Sequence, residues 1–251
     1  MLRIKTTILL CLLVFLIGGC ADRDLSRISR AVGLLDSNKP HAAVNEMYAA
    51  IKSDPSRFDI YAISIDLLFK KERYHDAANI GDALLKRIKS GRLDRSLTDE
   101  ELASTYVILA QVYQNVPDLQ KAESAYEHAL AISPDSPQLL NALGYFYADS
   151  GIKLNEALRL TKRAAALAPN DGNIIDSLGW SQYKLGQYAA SINTLKRAVE
   201  LQPDAAELRY HLGAAYNSVG KRDEALIELN KALVIDSNMT RAAKLIKKVQ
   251  H

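Results

Sequence analysis

The 251-residue sequence predicts an all-α fold: a solenoid of about six helical hairpins with a C-terminal capping helix. Three observations predict it. Pro134, Pro169 and Pro203 each follow an apolar helical run, with spacings of 35 and 34 residues, the period of a two-helix repeat. Leu109-Ala110, Leu143-Gly144, Leu178-Gly179 and Leu212-Gly213 recur in phase with those prolines. Gly151, Gly186 and Gly220 fall between the two apolar runs of their units, where a turn often needs positive φ.

The chain opens on an address. Arg3 and Lys5 precede ten apolar residues, Ile8 to Ile17. That run is too short to span a bilayer of ~30 Å as a helix and fits the apolar core of a secretory signal. Leu16-Ile17-Gly18-Gly19-Cys20 then resembles a bacterial lipobox. The resemblance implies a signal peptide over 1–19 and a lipidated Cys20 as first mature residue. Three acyl chains exceed the two signals needed for stable anchoring. Ala21, rather than Asp, follows the cysteine, which in lipoproteins of the enterobacterial type points to the outer membrane, with the body facing the periplasm. Residues 20–23 form the tether. At ~3.3–3.6 Å per extended residue it holds the body within ~10–15 Å of the lipid surface.

Residues 24–90 read as two degenerate hairpins. Ala31, Ala43, Ala50 and Pro55 keep phase in the first, and Tyr61, Tyr74, Ala77 and Leu84 in the second. Pro55 and Pro134 are 79 residues apart, two periods plus about eleven. The surplus falls in a linker and helix extension over 91–102, the expected hinge. There Thr98 to Glu101 reads as a capping box.

Residues 103–239 hold four regular units. Besides the Leu-Gly pairs and prolines they repeat Tyr113, Tyr147 and Tyr216, and Ala129, Ala164, Ala198 and Ala232. Small residues mark where helix A and helix B of a unit cross closely; Tyr147 and Tyr216 fall in the packing phase. These units resemble tetratricopeptide repeats, which stack as a right-handed superhelix. Over 240–251, Ala242, Leu245, Ile246 and Val249 form one face and Lys244, Lys247 and Lys248 another. That pattern suits a capping helix, which a repeat array needs to close its open end; a basic membrane-contacting helix is the alternative.

The resemblance implies a ligand groove lined by positions two, five, nine, twelve and thirteen of helix A. Here those are Gln111 and Gln114; Asn141, Tyr145 and Asp149; Asn173, Asp176, Trp180, Tyr183 and Lys184; and Tyr210 and Asn217. Rings and amides suit an extended peptide, the rings covering apolar area and the amides pairing with its backbone. Trp180, the only tryptophan, either contacts ligand or packs between helices. The two-lysine, two-asparagine and arginine clamp of chaperone-binding members is absent.

Chemistry leaves no signature. The five histidines show no zinc-protease spacing, and no nucleophile elbow or phosphate loop occurs. No cofactor or metal is expected. Without Arg3 and Lys5 the balance is 30 basic residues against 29 acidic, which provides no basic face for nucleic acid. After processing one cysteine remains, so intramolecular disulfides are excluded. The expected protein is no enzyme but a membrane-anchored scaffold for protein or peptide partners in envelope protein processing or assembly. Assembly of a pilus or secretion machine, and glycan binding, are the alternatives. Partner identity and oligomeric state stay open.

Overall fold

The computed structural model describes residues 22–250, so Cys20 and the leader lie outside the described residues. Among the described residues there are thirteen α-helices and no strand: α1 (Arg23–Asp36), α2 (Pro40–Ser53), α3 (Phe58–Lys70), α4 (Tyr74–Lys89), α5 (Asp99–Asn115), α6 (Leu119–Ile132), α7 (Pro137–Ser150), α8 (Leu154–Leu167), α9 (Gly172–Lys184), α10 (Tyr188–Leu201), α11 (Ala206–Ser218), α12 (Arg222–Ile235) and α13 (Thr240–Gln250). None is long and apolar enough to cross a membrane. The chain divides into two compact units, the first ending at Ala125 and the second beginning at Tyr126.

In the first unit α1 pairs with α2 and α3 with α4, and α5 packs against α4. Asp22 caps α1, accepting from the backbone N–H of Asp24 and Leu25. Its other oxygen pairs with Arg57, which also pairs with Asp59. Small and larger aliphatic residues and a methionine fill the interior: Ala31, Ala43, Met47, Ile60, Leu68, Ile80 and Leu84 are all buried. The hairpin turns use Asn38 (φ 56°) and Glu72 (φ 57°) in the left-handed region. These residues stand 34 apart, one repeat period.

The stretch expected to hinge makes contacts back to the start of α3. Asp94 donates its backbone N–H to the Ser56 carbonyl at 2.9 Å, and the Arg95 guanidinium lies 5.5 Å from the Phe58 ring centroid. Thr98 then starts α5 with both bonds of a capping box to Glu101. Arg95 grips the Glu101 carboxylate with two N–H groups at 2.8 and 2.6 Å.

In the second unit α7 pairs with α8, α9 with α10 and α11 with α12, while α13 packs on α12. Each hairpin closes at a glycine on helix A. A Cβ built at Gly144, Gly179 or Gly213 would fall 2.8 Å or less from Thr161, Leu195 or Leu229 respectively, so only glycine permits that approach. Buried hydroxyls cross-link the same region. Ser191 donates to the Gly179 carbonyl at 2.7 Å, and Thr161 to Ser181 at 3.2 Å. Gly151, Gly186 and Gly220 have φ of 72°, 75° and 76°. Tyr147 is buried, whereas Tyr216 is only half-buried, with Lys221 5.8 Å over its ring. The first helices of successive hairpins, α7, α9, α11 and then α13, lie side by side. They form the face on which the expected ligand positions of the second unit fall.

Candidate functional site

The site is built around His211, which is fully buried on α11. Its Nδ1 stands 2.8 Å from Asp176 Oδ2, on α9 one repeat earlier. Asp176 is 3% exposed, and its other carboxylate oxygen has no hydrogen-bond partner. On the far side of the ring, Nε2 lies 3.0 Å from Glu207 Oε1, four residues back on the same helix. That approach lacks hydrogen-bond geometry, so it acts through charge proximity and not as a directed bond.

Aromatic rings cover this polar centre. Trp180 stacks with His211 at 4.0 Å and 17°, and with Tyr183 at 4.6 Å and 7°. Tyr210 and Tyr145 flank the histidine at 5.7 and 6.3 Å. Trp180 and Tyr183 meet because they are three residues apart on α9, neighbours on one helical face. Ser218 donates to the Tyr183 hydroxyl at 3.3 Å, fastening α11 to α9. Burial first, and then the Asp149 and Asp176 carboxylates, push the Tyr145 hydroxyl far above its ordinary value, while the Arg241 charge pulls the other way. Burial raises Tyr210 as well. Both phenols therefore stay protonated and remain able to donate.

Cations cap the rings. Lys184 Nζ stands 5.3 Å from the Trp180 centroid and donates to the Asp149 carbonyl at 3.1 Å. Arg241, from the first turn of α13, lies 4.7 Å over Tyr210 and pairs with Glu207.

Of the residues expected to line a groove, Tyr145, Asp176, Trp180, Tyr183, Lys184 and Tyr210 thus come together in the second unit. Asn141 is half-buried with its carbonyl oxygen unpartnered, and Asn217 is half-buried. Asp149 and Asn173 are exposed. Gln111 and Gln114 are half-buried on α5 of the first unit, Gln111 accepting at its backbone carbonyl from Asn115. The two readings of Trp180 resolve toward packing: at 7% exposed it offers no open platform, because His211 and Tyr183 occupy its flanks. Asp176 likewise serves the buried pair and presents no open surface.

Three residues of the cluster carried no sequence expectation: Glu207, His211 and Arg241. A signal for them existed. Glu207 and Arg241 are 34 residues apart, and Asp176 and His211 are 35 apart, so repeat spacing alone sets each pair on adjacent helices of one face. Among the described residues no group of three His, Cys, Asp or Glu side chains is placed to hold a metal ion.

Comparison with known proteins agrees with this architecture. Profiles described as "Tetratricopeptide repeat" match residues 103–136 and 206–239, and one described as "TPR repeat" matches residues 179–220. Neither describes an enzyme. The TPR repeat-containing protein PA4667 of Pseudomonas aeruginosa is 38% identical over 96 residues, which is 38% of this chain and 16% of that protein. The chain of the APC/C hetero-tetramer Cut9–Hcn1 superposes with a TM-score of 0.63 at 18% identity, over 91% of this chain and 43% of that one. YrrB, described as a TPR protein with an unusual peptide-binding site, superposes with a TM-score of 0.51 at 22% identity, over 80% of this chain and 97% of its own. This chain thus spans only a small part of the PA4667 relative and under half of the Cut9–Hcn1 chain. The chain carries tetratricopeptide repeats, and its described residues form an all-α solenoid of that type.

Proposed function

We propose that the protein is a scaffold that binds protein or peptide partners on the α7–α9–α11 face of its second unit. In this reading it is held by a lipid on Cys20 at the outer membrane, facing the periplasm, and serves envelope protein processing or assembly. The supporting observation is the cluster of rings, amides and charges on one face of adjacent repeats: Tyr145, Tyr183 and Tyr210 half-buried, with Asp149 and Asn173 exposed beside them. Half-exposed tyrosines supply contact area at low entropic cost and a polar end for hydrogen bonding. The lipobox at Leu16 to Cys20, following the basic residues and the apolar run, supports the anchor. Glycan stacking is the weaker alternative, since the single tryptophan is already stacked on its own neighbours.

The test is a photo-crosslinker placed at Asn173 and Asp149, which are exposed, with Arg159 on α8 as control. Discrete adducts from the first two positions and none from Arg159 are expected in intact cells. Identical patterns from all three positions would remove the binding face. The captured protein also separates processing enzymes from pilus or secretion components. Cys20→Ser is expected to abolish acyl labelling and release the body from the membrane fraction; unchanged fractionation would refute the anchor.

A further inference from the structure

Two aromatic rings on the binding face already carry a cation, and both cations belong to the chain itself. Lys184 sits over Trp180, and Arg241 over Tyr210 at 4.7 Å. The second is held by more than a ring. Glu207 pairs with the guanidinium, whose charge also acts on the Tyr145 hydroxyl. The surroundings favour positive charge: Asp176 is buried with Oδ1 unpartnered, and Asp149 stands exposed nearby, both acting on Tyr145. A buried carboxylate oxygen lacking a donor is stabilised by a neighbouring cation.

Arg241 does not hold α13 in place. That helix is fixed by its other face, where Ala242 and Val249 join Met239, Leu229 and Ala232 in one core cluster. The Arg241 side chain remains 45% exposed. A change of rotamer therefore vacates the seat with α13 still docked, leaving a ring face and a carboxylate in place. That set matches a guanidinium, which stacks flat on a ring while its N–H fork reaches a carboxylate.

We propose that this seat is the specificity pocket of the binding face: it takes an arginine side chain from a partner peptide, and Arg241 occupies it as an internal surrogate until displaced. The inference rests on the peptide-binding reading above. It makes the face selective for basic segments, since Asp149, Asp176 and Glu207 repel acidic ones. It also makes partner binding a competition, so apparent affinity falls with the fraction of molecules whose seat is filled by Arg241.

The only tryptophan provides the readout, because Trp180 lies 6.4 Å from Tyr210. The full-length protein in detergent micelles is titrated, following Trp180 fluorescence, with acetylated and amidated Gly-Ser-Arg-Ser-Gly. Peptides with citrulline or glutamate at the centre serve as comparisons. The arginine peptide is expected to half-saturate Arg241→Ala at a concentration at least about tenfold lower than the parent. Arg241→Lys should fall between them, the citrulline peptide should bind at least about tenfold more weakly, and adding Glu207→Gln to Arg241→Ala should erase the gain. Equal half-saturation of parent and Arg241→Ala, equal binding of the citrulline peptide, or no response to any peptide overturns the proposal. Binding of the glutamate peptide that is lost in Arg241→Ala also overturns it, by making Arg241 an anion site, while leaving the peptide-binding reading intact. Loss of that reading shows separately, as failure of the Asn173 and Asp149 crosslinks.

Discussion

Gly179→Ala tests the close helix crossing that the repeat requires. A Cβ at this position would lie 2.6 Å from Leu195 Cγ, 2.7 Å from its Cδ2 and 3.3 Å from its backbone nitrogen. Carbon atoms in contact sit ~3.5–4.0 Å apart, so α9 and α10 must separate by roughly 1 Å or Leu195 must leave its rotamer. Overpacking of this kind costs ~1–3 kcal/mol. Alanine regains ~1 kcal/mol of helix propensity over glycine. Because the clash involves the Cγ branch carbon and the backbone as well as the Cδ2 methyl, the upper part of the range applies, and the net loss is about 1–2 kcal/mol. At ~2–4 °C per kcal/mol for a chain of this size, Tm should fall by roughly 2–8 °C, read by circular dichroism. Leu195→Ala alone should cost ~2–5 kcal/mol, but together with Gly179→Ala it should cost less than the sum, since the new methyl enters the vacated space. Gly186→Ala is the contrast. Nothing lies within 4 Å of its added Cβ, but φ is 75°, so its ~1–2 kcal/mol cost is conformational and should add to that of Leu195→Ala. If Gly179→Ala raises Tm, or adds to Leu195→Ala within ~0.5 kcal/mol, the close-approach argument is refuted.

Other predictions follow from the same geometry. Glu101 is held at about 2, against an ordinary value of 4.5, chiefly by the Arg95 hydrogen bonds. A carboxylate depressed in the folded state contributes stability that is complete above about pH 4.5 and disappears as pH falls through about 2; Glu101→Gln should therefore flatten the dependence of Tm on pH within that window and leave it unchanged above. Thr98→Ala removes the N-cap of α5 and should cost ~1 kcal/mol in urea unfolding; because Thr98 and Glu101 share the capping box, the double variant should lose less than the two single losses combined. His211→Ala withdraws the donor from the buried Asp176 carboxylate and should cost ~1.5–3 kcal/mol, with a change in Trp180 emission as its stacking partner leaves; unchanged stability would mean that Asp176 finds another donor.

The repeat register was legible along the chain because each of its marks is local. A glycine at positive φ, a threonine capping α5 through Glu101 and a small residue at a helix crossing each need one residue type at one place. The same logic explains why the N-terminal hairpins looked weak. Their turns place Asn38 and Glu72 in the left-handed region where later turns use Gly151, Gly186 and Gly220, so the conformation repeats while the residue type does not. The contacts of the 91–102 stretch were hidden for a related reason: Gly91 and the charged residues after it look like a free linker, yet Asp94 is bonded to Ser56, 38 residues earlier in the chain.

The candidate site divides in the same way. From the sequence alone came the two-helix period and the positions that share a face on α7, α9 and α11, because helical periodicity and repeat spacing are properties of the chain taken in order. Only the tertiary structure decided that Trp180 stacks on His211, that Asp176 is buried against it, and that Arg241 reaches over Tyr210 to Glu207. Repeat spacing sets such residues on neighbouring helices. Whether they touch depends on how far one hairpin rotates against the next and on the rotamers that packing then leaves open, and no local stretch of sequence carries that information.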